Sequence, residues 1–96
     1  RRSSDLRYWL VMGIEELVRY IVENLVDDKS LVDVQSTQED DLLVVNIIAE
    51  QSQIGRIIGK QGRIAKAIRT IVRAKAINDN IRVSVEITER QWFLVL

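Results

Sequence analysis

An apolar helical pattern over residues 54–76 is broken once, by Gly59-Lys60-Gln61-Gly62. No other feature restricts the fold as much. Ile54 to Ile58 is long enough for one or two helical turns. Beyond the break, Ile64, Ile68, Ile71 and Val72 are predicted inside a second helix running from Arg63 to about Ala76. Two short helices must then meet at a tight glycine corner. Three of the four glycines in the chain, Gly55, Gly59 and Gly62, fall within eight residues. A loop that enters a helix presents free backbone N–H groups and the positive end of the helix dipole. That is a natural seat for a phosphate oxygen. A bare G-x-x-G is a weak signal, because glycines also close ordinary helix corners. The surroundings decide between the two.

Upstream, Ile14, Leu17, Val18, Ile21, Val22, Leu25 and Val26 follow helical spacing, with Glu15, Glu16, Arg19 and Glu23 on the other face. Asp27 to Ser30 breaks the pattern. Leu31 to Ser36 alternates as a strand, Gln38 to Asp41 is a polar turn, and Leu42 to Ala49 is apolar enough for a central strand, so a hairpin is predicted. Asn78-Asp79-Asn80 is a turn, and Ile81, Val83, Val85 and Ile87 alternate with polar residues in a third strand. The order is α-β-β-α-α-β. This is an α+β domain: a three-stranded sheet with three helices on one face. Residues 1–12 form an N-terminal extension. Met12 is a candidate natural start, which makes residues 1–11 non-native; alternatively they lengthen the first helix. Residues 91–96 end in Trp92-Phe93-Leu94-Val95-Leu96, an apolar tail suited to extending the last strand, covering an edge or meeting another chain.

The charge is neutral in sum and segregated along the chain. Residues 1–50 carry 5 Lys/Arg and 11 Asp/Glu, whereas residues 51–77 carry 7 Lys/Arg and no acid. A ligand feels that local field, not the total. Lys60, Arg63 and Lys66 gather at the loop, and Lys66, Arg69 and Arg73 share one face of the second helix. In this setting the glycine corner becomes a strong candidate for binding phosphates. Enzyme chemistry is disfavoured. There is no His and no Cys, which excludes the usual zinc sites, thiolates and His-based triads. No serine has a G-x-S-x-G context, so no nucleophile is assigned. Glu39-Asp40-Asp41 is read as a solvated turn, not a cation site. No metal or cofactor is expected. The longest uncharged run has eight residues, too short to span a bilayer. With no complete secretory signal, a cytoplasmic location is the default. The aromatics Tyr8, Trp9, Tyr20, Trp92 and Phe93 all lie away from the loop, and Tyr20 is expected to border the core. Aromatic stacking platforms are therefore not expected.

Ile57-Ile58-Gly59-Lys60-Gln61-Gly62 resembles the signature loop of KH domains, in which a GXXG loop clamps four single-stranded nucleotides by the backbone. The element order matches the type II, prokaryotic arrangement. The longer run from Ile54 to Thr70, with Glu15-Glu16-Leu17-Val18 near the start, is similar to the KhpA family of small stand-alone bacterial KH proteins. The resemblance covers roughly residues 13–88, and the domain is placed at 13–90. It implies cytoplasmic binding of single-stranded RNA with little sequence stringency. It also implies a homodimer, pairing with a KhpB/Jag-like KH protein, and a role as post-transcriptional regulator or RNA chaperone linked to cell elongation, division and shape. By the same resemblance, Gly59 and Gly62 form the clamp and Lys60 and Gln61 its variable pair. Arg56 and Lys66 flank the sugar–phosphate path. Ile58 and the start of the second helix make an apolar floor, with Gly55, Arg63, Ala65 and Arg69 completing the RNA-binding set. Ala65 is a departure: many KH domains carry a large aliphatic residue there, so a smaller floor and weaker base contacts are implied. The extension and the tail also lie outside the family pattern, and either is a candidate for the dimer surface or the groove. An alternative reading, a protein–protein adaptor in which the fold mainly dimerises, is motivated by Trp9 and the tail.

Overall fold

A computed structural model describes residues 2–90, with side chains from Trp9 onward. The first helix, α1, spans Arg2–Leu25, and no break occurs at Met12, so residues 2–12 lengthen the helix. Ile14, Val18 and Val22 are fully buried at i, i+4 and i+8. Each contributes roughly 1.5–3 kcal/mol of burial. Tyr20 lies on the opposite side and is 68% exposed, which corrects the expectation that it borders the core. Its helical phase, not its size, decides its surroundings.

The helix stops where Asp28 takes over the local hydrogen bonding. Its carboxylate accepts from Ser30 N–H at 2.9 Å and Ser30 Oγ at 2.7 Å, fixing a 3-10 turn over Lys29–Leu31. Strand β1 then spans Val32–Glu39, and strand β2 spans Leu42–Ala49. They pair antiparallel from Val32↔Ala49 to Glu39↔Leu42. The hairpin turn is thus only Asp40 and Asp41, shorter than the sequence predicts, with Asp40 at φ 55°. Backbone pairing carries the polar residues Thr37, Gln38 and Glu39 into the ladder, where side-chain polarity does not register.

Helix α2 spans Gln51–Ile58, helix α3 spans Arg63–Asn78, and strand β3 spans Arg82–Glu89. Strand β3 pairs parallel to β2, giving the sheet order β1-β2-β3. Leu43, Val45, Ile47 and Ala49 of β2 are buried against the helices, which all lie on that face. Among the described residues, no helix covers the other face of the sheet. On α3 the buried stripe is Ala65, Ile68, Val72 and Ala76. Two of the four expected core residues of this helix differ: Ile71 is 48% exposed and Ile64 is only half-buried. The sequence reading weighted large side chains, whereas spacings of three and four select the alanines and bring α3 close to the sheet. Among the described residues, no helix is long and apolar enough to cross a membrane. The apolar tail at 91–96, with the roles expected of it, lies outside the described residues.

Arg19 ties α1 to the outer edge of β1. It donates to Val34 O at 2.8 Å and pairs with Glu15 at 3.2 Å and Asp33 at 3.4 Å. Ser36 Oγ donates to Glu15 at the next step along the strand. Together these contacts cap part of an edge that is otherwise open to pairing. Hydrogen bonds from Gln35, from Val34 N–H and from Arg19 hold the Asp33 carboxyl below its ordinary range, with burial opposing them.

Candidate nucleic-acid interface

Helix α2 is anchored before it reaches the loop. Gln53 is 5% exposed, and its Oε1 accepts from Asp27 N–H at 2.9 Å, satisfying a backbone donor beyond the end of α1. One turn later Arg56 pairs with Asp27 at 2.9 Å. Ile57 is fully buried, while the next residue, Ile58, is 37% exposed beside the loop. Gly55 is exposed, and a Cβ added there would meet nothing within 4 Å, so α2 has a bare patch on the loop side.

The loop itself is built from left-handed backbone. Gly59 has φ 76°, Gln61 φ 57° and Gly62 φ 74°. Its two glycines are required for different reasons. A Cβ on Gly59 would lie 2.5 Å from Ile64 Cγ1, so glycine is needed there for space as well as conformation. At Gly62 a Cβ meets nothing within 4 Å, and only the positive φ selects glycine. Ile64, half-buried beneath Gly59, therefore closes the corner from below.

Lys60, Gln61, Arg63, Lys66, Arg69 and Arg73 are all exposed on the loop and along α3. Arg63 donates to Gln61 Oε1 at 3.2 Å, and Arg69 Nε donates to Val85 O at 3.3 Å. Among the described residues, none of the cations Lys60, Arg63, Lys66, Arg69 and Arg73 is paired with a carboxylate. Arg56 and Lys75 differ, being paired with Asp27 and Asp79, each at 2.9 Å.

A groove runs between the basic side of α3 and β3, the edge strand of the sheet among the described residues. One cavity of about 130 Å³ is lined by Arg69, Arg73, Val83, Ser84 and Val85. A second, of about 280 Å³, lies toward the α3–β3 turn and is bordered by Leu42, Arg73, Ala76, Ile77, Ile81, Arg82 and Val83. Ile77 is 71% exposed at its rim. The groove thus brings together an edge strand, whose Val85 carbonyl is already engaged by Arg69, apolar surface and cations with no carboxylate partner among the described residues. Arg73 was singled out by helical phase but not placed in the expected set. Val83 to Val85 was missed, because only the parallel pairing of β3 with β2 brings that edge to α3. Ala65 differs from the rest of the expected set. At 5% exposure it is almost wholly buried and presents little surface beside the loop. Arg56, in the last turn of α2, is engaged with Asp27. Asp41 in the acidic turn is engaged by Arg82 at 2.9 Å, a contact that lowers its pKa.

The comparisons with known proteins bear on this geometry. A family model described as the KhpA/KhpB KH domain matches residues 15–87. The chain belongs to this family. It is 40% identical over 78 residues to the RNA-binding protein KhpA of Chlamydia trachomatis serovar D, covering 81% of this chain and all of that one. It is 43% identical over 74 residues to the RNA-binding protein KhpA of Clostridium perfringens, covering 77% of this chain and 99% of the relative. Among solved structures, Era in complex with MgGDPNP and nucleotides 1506–1542 of 16S ribosomal RNA aligns with a TM-score of 0.56 and 23% identity. The alignment covers 79% of this chain and 29% of Era, and the likeness is one of fold. The observed element order and mixed sheet are those of a type II KH domain.

Proposed function

We propose that this chain is a non-enzymatic module that binds single-stranded RNA through its GXXG loop. The observation that carries the reading is the set of five exposed cations, Lys60, Arg63, Lys66, Arg69 and Arg73, none paired with a carboxylate among the described residues. Cations without internal partners are placed for an external polyanion. Two curated relatives of about this length are named RNA-binding proteins, which supports the same ligand. In this mechanism the sugar–phosphate backbone passes over Gly59–Gly62, where the loop glycines and the first amides of α3 admit close approach. Bases lie along the groove toward the edge of β3. With three to five phosphate contacts, one module reaches an affinity on the order of micromolar. The proposal extends to the finer roles that the family resemblance implies. These are a cytoplasmic location away from the membrane, homodimerisation, pairing with a KhpB/Jag-like KH protein, and post-transcriptional control or RNA chaperoning linked to cell elongation, division and shape.

The test is fluorescence anisotropy of a labelled single-stranded RNA with wild type and the Lys60→Asp/Gln61→Asp variant. The expected result is loss of binding with an unchanged melting curve. Undiminished affinity in the folded variant removes the loop from the mechanism.

One observation favours the adaptor reading. Trp9 and Tyr20 are 67% and 68% exposed on α1, eleven residues and so about three turns apart on one helix face. That reading expects Trp9→Ala/Tyr20→Ala to sediment as a smaller species with RNA affinity intact. An unchanged sedimentation coefficient speaks against it.

A further inference from the structure

Strand β2 reads Leu-Leu-Val-Val-Asn-Ile-Ile-Ala, a nearly unbroken apolar run. Such a run marks a strand covered on both faces. Here helices cover only one. Leu42, Val44 and Ile48 point away from the helices, are half-buried, and neither belong to the core cluster nor pack against it. Their neighbours across the ladders are polar. Glu39 and Arg82 flank Leu42, Thr37 and Ser84 flank Val44, and Asp33 and Thr88 flank Ile48. Between them Asn46, which accepts from Thr88 Oγ1 at 2.9 Å, is flanked by Gln35 and Glu86. An apolar stripe about 20 Å long therefore runs down an open sheet face.

The charge around the stripe has one sign. Glu39, Asp40 and Glu86 have no ion pair among the described residues. Arg82, the cation on this face among the described residues, is neutralised by Asp41 at 2.9 Å. A second copy placed face to face would bring two acidic rims together, which opposes association. Nucleic acid is repelled for the same reason. The surface fits a protein segment with apolar side chains along one side and Lys or Arg along its flanks. We infer that this sheet face docks a cationic amphipathic helix of another protein, about 13 residues long to match the stripe. Its apolar side covers Leu42, Val44 and Ile48, and its cations meet Glu39 and Glu86. The basic groove lies along α3 and the edge of β3 and meets the stripe at one end, where Leu42 and Arg82 also border its larger cavity.

The test is an NMR titration of the full chain with a 14-residue Leu/Lys amphipathic peptide (about 20 Å as a helix) and with its Leu/Glu counterpart. The Leu/Lys peptide is expected to shift amides at Val44–Ile48 and Glu86 and to leave Lys60–Gly62 unmoved. The Glu39→Lys/Glu86→Lys variant is expected to bind it about tenfold more weakly, with melting temperature and RNA affinity retained. Three results overturn the inference: no shifts at millimolar peptide, shifts mapping to another surface, or equal binding of the Leu/Glu peptide. NOEs from the Val44 and Ile48 methyls to the Trp92 ring in the free chain also overturn it, because the stripe is then covered by the chain itself.

Discussion

The α1–β1 flank and the α3 flank both carry arginines, yet they use them differently. Arg19 spends its guanidinium on Glu15, Asp33 and the Val34 carbonyl. On α3, Lys66, Arg69 and Arg73 face solvent with no carboxylate partner among the described residues. The first flank closes its electrostatics within the fold; the second leaves them open. The sequence origin is the absence of acid from residues 51–77. Cations engaged within the fold and cations left without a carboxylate partner are thereby separated in space, so mutations on the two flanks should move different observables.

The largest expected effect blurs this division, because it places a structural residue inside the open flank. Gly59→Ala combines a left-handed φ with a contact of 2.5 Å to Ile64, and should cost about 2–5 kcal/mol in urea denaturation. Gly62→Ala meets only the conformational term and should cost about 1–2 kcal/mol. Equal losses at the two positions would remove Ile64 from the account. Next comes Arg69→Glu/Arg73→Glu, expected to lower RNA affinity about 100-fold while stability moves by about 0.5 kcal/mol. Arg19→Ala is the converse. It should cost about 1–2 kcal/mol, because an edge carbonyl and two carboxylates lose a donor, with RNA affinity unchanged. A reversed pattern, with Arg19 affecting RNA and Arg69 affecting stability, would break the comparison outright.

The smallest effect is in pH. The folded state holds the Asp33 carboxyl below its ordinary range, so the folded form gives up that proton more readily than the unfolded form. Its stabilisation is present above about pH 4 and is lost as the pH falls through the folded value. Thermal melts of wild type and Asp33→Asn should therefore converge on acidification. A gap that stays constant from neutral pH to pH 2 would remove Asp33 ionisation as the cause.

Much of the fold was legible because apolar periodicity and the glycine corner report local backbone directly. Ile14, Val18 and Val22 declared the first helix, and Ile81, Val83, Val85 and Ile87 the last strand. What failed was phase against size. Ala65 and Ala76 take core positions that the larger Ile64 and Ile71 suggested for themselves, and Tyr20 stays outside despite its apolar ring. The length of β1 was hidden because its last three residues are polar and enter the sheet by backbone pairing alone. In the site, the loop and the stripe on α3 were readable from spacing. The β3 edge was not, since a parallel crossover pairing across about 40 residues leaves no local mark.

The central claim is that the open cations of the loop and α3 are the polyanion-binding element. The most direct measurement is the affinity for a single-stranded RNA across a series of salt concentrations. Five cations at about 0.7 per contact set a limiting log–log slope of about −3.5, and three contacts about −2. A slope in that range for wild type, shallower by about 1.4 in Arg69→Glu/Arg73→Glu and unchanged in Arg19→Ala, is the predicted result. A slope near zero, or one that Arg19→Ala alters and the α3 variant does not, would contradict the claim.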